Sequence, residues 1–267
     1  MPRIQSDGVG IAYEILNKKS QETPVFVIAG LNGMRQSCMK QAIPFSQYRP
    51  TIIHDHRGTG ESDKPLGVYS IENMAKDVIS LMDELGIEKA HIVGTSTGGA
   101  IAQVLCLDYD ERIQSSAICC SWLRCDHFFR RQFETRKWIL KEMGPVALMH
   151  ATSISLNDPK WLTEHFDELV EKEKGQLERK SPVDVYIERI DALLAFDESK
   201  RLGQIKTPVK VIGSKNDGVC PAYYSEEIAK LIPGATLSLY EDGGHFFYMV
   251  YADRFNKEIL DFMSEHD

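Results

Sequence analysis

His91-Ile-Val-Gly-Thr-Ser-Thr-Gly-Gly-Ala100 is the stretch from which the fold can be read. Apolar residues of strand character come first, then Gly94-x-Ser96-x-Gly98, then the run Ala100, Ile101, Ala102, Val104 and Leu105. That order is strand, sharp turn, helix, with a serine at the apex. A turn in which strand and helix nearly touch needs small residues, and Gly94, Gly98 and Gly99 supply them. The Ser96 hydroxyl is then exposed at the top of a sheet, where a nucleophile is useful. The backbone N–H of Thr97, at the start of the helix, suits a developing oxyanion.

A serine hydroxyl attacks poorly until a histidine takes its proton, and that histidine needs an acid to fix its tautomer. Beyond Ser96 the chain offers one good candidate for each. Strand Val209–Gly213 runs into Ser-Lys-Asn-Asp217-Gly-Val-Cys-Pro221, placing a carboxylate just past a strand end. The last strand, ending at Tyr240, is followed by Glu-Asp-Gly-Gly-His245, where the glycine pair permits a tight turn back toward the sheet edge. Asp217 is the expected acid and His245 the expected base. Asp242 is an alternative partner for His245, and Asp126 a weaker one. The second oxyanion donor is expected in Gly30-Leu31-Asn32-Gly33, after strand Val25–Ala29. Gly30 allows close approach to the substrate, and the N–H of Leu31 is the expected donor, with that of Gly30 as the alternative.

Around these loops, strands alternate with helices. Arg3–Ser6 and Val9–Leu16 flank Asp7-Gly8 as a hairpin. Further strands are predicted at Pro24–Ala29, Arg49–Asp55, Ala90–Val93, Ser115–Ser121, Val209–Gly213 and Thr236–Tyr240. Ser70 caps a helix with apolar residues at three- and four-residue steps, and Gly86 ends it. Other helices are predicted at Thr97–Leu107, Ala222–Leu231 and Ala252–Met263. The pattern implies an α/β fold: a mostly parallel eight-stranded sheet flanked by helices. Between Ser121 and Val209 there is no strand signal. Helical patterns at His127–Met143, Pro145–Thr152, Pro159–Gly175 and Pro182–Phe196 are expected there instead. Asp158-Pro159 and Ser181-Pro182 are read as N-cap and first-turn proline pairs. The expected division is therefore a core in two parts, 1–123 and 206–267, with a helical lid over 124–205.

The chain has 267 residues, 43% hydrophobic and 26% charged, with a formal net charge of -8. That is ordinary for a globular protein and disfavours nucleic-acid binding, which wants a basic surface. No signal-peptide run opens the sequence, and no stretch approaches the apolar length of a membrane span. The six cysteines, at 38, 106, 119, 120, 125 and 220, lack paired zinc-type spacing. The expectation is a cytoplasmic protein acting on a small-molecule substrate, with no cofactor, metal or membrane partner. His54 and His56 form a His-x-His pair, read as structural.

Together these residues resemble the α/β-hydrolase superfamily across essentially the whole chain. The likeness rests on GTSTGG (94–99), DHRGTGESD (55–63), GSKNDGVCP (213–221) and EDGGH (241–245). It implies Ser96 as nucleophile, Asp217 as acid and His245 as general base. Many members carry His-Gly after the third strand, where this chain has Ala29-Gly30, so histidine support of the oxyanion loop is absent. Within the superfamily the chain is similar to 3-oxoadipate enol-lactonases and aminoacrylate hydrolases, the latter through Ser121-Trp-Leu-Arg124 and an arginine-rich helix after it. That likeness implies a small carboxylated substrate with an activated acyl, enol or amide bond.

Arg124, Arg130, Arg131, Arg136 and Lys137 crowd the start of the lid in an acidic chain. Guanidinium pairs well with carboxylate, and Arg124, just past a strand end, is the expected substrate contact. The alternative is a solvated helix face pairing with Glu134 and nearby acids. The leading function is an ester- or lactone-type serine hydrolase working through an acyl-enzyme. A carbon–carbon bond hydrolase uses the same three residues, and a hydrolase-like binding protein would turn over little. Ser96 argues against the activities that fold relatives carry out with an aspartate nucleophile.

Overall fold

The computed structural model describes residues 1–178 and 181–267. Eight strands form one sheet in the order β1-β2-β4-β3-β5-β6-β7-β8: β1 (Arg3–Ser6), β2 (Val9–Leu16), β3 (Val25–Ile28), β4 (Thr51–His54), β5 (Ala90–Thr95), β6 (Ile113–Cys119), β7 (Val209–Ser214) and β8 (Thr236–Tyr240). The pairs β1–β2 and β2–β4 are antiparallel, and all the others are parallel. A parallel sheet needs cover on both faces, and strand alternation supplies apolar residues to both. In β3, Phe26 and Ile28 join one buried cluster while Val25 and Val27 join another. In β5, Ile92 and Val93 divide the same way.

The first face is covered by α2 (Ile71–Glu84) and α3 (Thr97–Asp108), and α9 (Ala222–Leu231) packs into the same cluster. The second is covered by α1 (Met39–Phe45), α10 (Phe247–Val250) and α11 (Ala252–Ser264). The Ser70 hydroxyl accepts from Asn73 N at 3.0 Å to start α2, and Gly86 follows its end at φ +65°. Sequence reading missed α1, because Pro44 lies inside it. Proline removes the N–H that would bond the carbonyl four residues back. Here that carbonyl, Lys40 O, instead accepts from the Asn256 side chain at 3.1 Å.

Among the described residues, five α-helices lie between β6 and β7: α4 (His127–Met143), α5 (Pro145–Leu156), α6 (Pro159–Glu164), α7 (Phe166–Glu178) and α8 (Val183–Ala195). Their apolar faces are continuous with the core. Phe129, Phe133, Ile190 and Leu193 belong to the same cluster as Ile101 and Trp122, with Trp122 stacked on Phe129 at 4.6 Å. The α5 helix runs four residues beyond the expected end at Thr152, and two further features differ from expectation. The run predicted as one helix from Pro159 breaks at His165, whose backbone leaves the helical region (φ -121°, ψ 26°) while its ring stacks on Trp161 at 4.7 Å. Ser181 does not cap α8. Its hydroxyl donates to Gly58 O at 2.6 Å instead, and Pro182 takes the cap position.

Candidate active site

Four loops meet at the carboxyl ends of the parallel strands, where α/β sheets commonly bind ligands. They follow β3, β5, β7 and β8. Ser96, after β5, has φ 55° and ψ -113°, a conformation rare for any residue with a side chain. Its surroundings enforce it. The Ser96 N–H donates to Cys119 O at 2.8 Å, and the Ser96 carbonyl accepts the Ser121 hydroxyl at 2.9 Å. Glycine on either side lets the chain turn this tightly. A Cβ on Gly94 would lie 2.1 Å from Gly98 O, and one on Gly98 would lie 2.2 Å from Ile28 O. Thr97 opens α3, and the first N–H groups of a helix have no acceptor within it.

Asp217, in the loop after β7, is almost wholly buried. One carboxylate oxygen accepts the N–H groups of Val219 and Cys220 at 2.7 and 2.8 Å. The other lies 2.8 Å from His245 Nδ1. Two backbone donors therefore aim the carboxylate, and the carboxylate aims the imidazole. Gly243 (φ +97°) and Gly244 (φ +64°) make the turn that brings His245 there. Asp242 is committed elsewhere, accepting from the Tyr251 hydroxyl. Asp126 caps α4 through Phe129 N at 2.9 Å and accepts from Tyr223.

Ser96 and His245 line one cavity of about 220 Å³, together with Gly30 and Leu31 from the loop after β3. A Cβ on Gly30 would sit 3.3 Å from the Ser96 Cβ, so glycine keeps that approach open. The loop is braced without the histidine that many α/β-hydrolases use. Gly33 O accepts from His56 N and Thr59 Oγ1 at 2.8 and 3.0 Å. Leu31 O accepts from Arg189, a fully buried guanidinium on α8 that also donates to Arg57 O. Burial pulls the Arg189 pKa down to about 10. His54 and His56 stack at 5.2 Å, and burial lowers both of their pKa values, which favours the neutral rings. Among the described residues no group of three metal-ligating side chains gathers.

The opposite wall of the cavity comes from the insertion. Phe133, Met149 and Tyr186 give it apolar surface, and Arg136, Lys172 and Glu173 give it charge. Arg124 is not among the lining residues. Its guanidinium pairs with Glu227 on α9 at 2.5 Å, and its backbone bridges to Asp197. Lys137 pairs with Asp191 and Glu134 at 2.6 and 3.5 Å. Within the basic cluster it is Arg136 that faces the cavity. Arg189 and Glu173 carried no signal in the sequence, being single charged residues on amphipathic helices.

The sequence profile described as "alpha/beta hydrolase fold" matches residues 23–251. The chain belongs to the α/β-hydrolase family. This hydrolase is 34% identical over 267 residues, the full length of both chains, to a protein of Azorhizobium caulinodans named as a carbamate hydrolase, RutD. Among solved structures, it superposes on the enol-lactonase of Burkholderia xenovorans LB400 with a TM-score of 0.91. The match covers 98% of this chain and 100% of that one at 24% identity, which shows a shared fold. Est816, an N-acyl homoserine lactone degrading enzyme, superposes with a TM-score of 0.83 at 26% identity, over 98% and 100% of the two chains.

Proposed function

We propose that this hydrolase is a serine enzyme that cleaves an activated acyl bond (a carbamate, ester or lactone) in a small substrate through a covalent acyl-enzyme. The observation that carries the reading is the buried Asp217–His245 pair opening onto the same cavity as Ser96. Asp217, held as an acceptor by two backbone N–H groups, fixes the proton on His245 Nδ1 and leaves Nε2 as the base. Ser96 Oγ attacks the acyl carbon as its proton passes to His245. The carbonyl oxygen becomes an oxyanion held by the N–H groups of Thr97 and Leu31, with Gly30 giving the room. The intermediate collapses as His245 protonates the leaving group. Water, deprotonated by the same imidazole, then attacks the acyl-enzyme and regenerates Ser96.

A cavity of about 220 Å³ suits a substrate smaller than the usual ligand of a ~300–1,000 Å³ pocket. The carbamate-hydrolase name of a full-length relative favours a carbamate among the candidate bonds. Residues 124–205 act as the lid over this cavity, between core segments 1–123 and 206–267. Neither a metal nor a cofactor enters the scheme. All six thiols are free, five of them buried, which suits the cytoplasm. No helix among the described residues is long and apolar enough to cross a membrane. Steady-state turnover of p-nitrophenyl acetate tests the scheme. Ser96→Ala should lose about 10⁴-fold or more in kcat while melting like wild type. A folded Ser96→Ala protein with wild-type rates would sink it.

A further inference from the structure

Arg136 projects from α4 into the cavity that holds Ser96 and His245, and only 7% of the residue is exposed. Its guanidinium carbon lies 4.6 Å from the centre of the Phe133 ring, which supports one face. Its Nη2 reaches the Ser155 hydroxyl at 3.1 Å. An arginine has five N–H donors in a planar fork, and among the described residues the others find no acceptor. No carboxylate of the described residues forms an ion pair with it, in contrast with Arg124 and Lys137 on the same stretch. Burial opposes the charge, yet arginine keeps its proton in proteins. A buried cation without a counter-ion is unfavourable unless something supplies one.

The other charged groups in or beside the cavity do not fill that place. Asp217 is taken by His245 and two backbone N–H groups. Glu173 accepts from the Ser153 hydroxyl and lies 4.0 Å from His150 Nε2. Lys172 adds a second positive charge, above the Phe246 ring at 5.4 Å. We infer that Arg136 is a specificity-determining residue that binds a carboxylate of the substrate through its free donor edge, while the scissile carbonyl lies at Ser96. A planar fork matches the two oxygens of a carboxylate. The small cavity then restricts the molecule to a short chain between that anion and the reacting carbon. This inference rests on the serine-hydrolase reading for its consequence in turnover, but the binding of the anion stands without it.

Two readouts keep the inferences apart. The first is calorimetric titration of wild type, Arg136→Lys and Arg136→Met with succinate and glutarate, and with butyramide as a neutral control. The second is the ratio of kcat/KM for p-nitrophenyl hydrogen succinate to that for p-nitrophenyl butyrate. Removing a charge-assisted hydrogen bond should weaken carboxylate binding, and lower that ratio, by about tenfold or more in Arg136→Met. Arg136→Lys, which keeps a charge but not the fork, should fall between, and thermal melting shows whether each variant is folded. Equal carboxylate binding and an equal ratio in wild type and a folded Arg136→Met or Arg136→Lys would overturn the role of Arg136. So would wild type binding neither dicarboxylate. Carboxylate binding that depends on Arg136, with no turnover of either ester, would retain the anion site and count against the catalytic reading alone.

Discussion

The two walls of the Ser96 cavity are built by different means. The sheet-edge wall is backbone: strand ends, a serine forced to φ 55°, a carboxylate aimed by two N–H groups, and glycines where a Cβ would strike a carbonyl. The insertion wall is side chains on helices: Phe133, Arg136, Met149, Glu173 and Tyr186. Backbone geometry is fixed by the fold and tolerates little change, while side chains on a helix can be exchanged without moving it. The first wall is thus suited to an invariant reaction and the second to a choice of substrate. The walls touch at Arg189, which reaches from α8 to Leu31 O and ties the position of the insertion to the loop after β3.

Substitutions can break this comparison, and the largest expected effect is on the sheet edge. Asp217→Asn keeps the size of the side chain but presents an amide to His245, favouring the wrong tautomer. We expect kcat to fall by about 10⁴-fold with little change in melting temperature. A loss below tenfold would mean that the carboxylate does not orient the base. Gly98→Ala comes next. The added methyl meets Ile28 O at 2.2 Å and the Ile28 carbonyl carbon at 2.8 Å, backbone atoms of a central strand that cannot step aside. Chemical denaturation should show a loss of about 1–3 kcal/mol or more. The same substitution in the insertion should have the opposite sign. Gly175 sits inside α7 with nothing within 4 Å of a new Cβ, so Gly175→Ala should stabilise by about 0.5–1 kcal/mol. Two glycine-to-alanine changes of like sign would erase the distinction between the walls.

What the sequence made legible follows the same division. Ser96, Asp217 and His245 stand just past strands whose apolar runs are unmistakable, beside glycines that mark turns, so position along the chain nearly determined position in space. The eight strands and the helices α2, α3, α9 and α11 were readable for the same reason. The α1 helix was hidden by Pro44, whose missing hydrogen bond is made good by Asn256, more than two hundred residues away in sequence. The contrast between Arg124 and Arg136 was equally out of reach. Both lie in one basic run, and only tertiary packing sets Arg124 against Glu227 and turns Arg136 toward Ser96. Nor could periodicity distinguish Arg189 from any other charge on an amphipathic helix.

The central claim is that His245 activates Ser96, and covalent labelling tests it most directly. Wild type and His245→Ala are incubated with a fluorophosphonate and followed by intact-protein mass and peptide mapping. The account predicts a single adduct on Ser96 in wild type and a drastically slower reaction in His245→Ala. No adduct on folded wild type, or equal labelling of the two proteins, would contradict it.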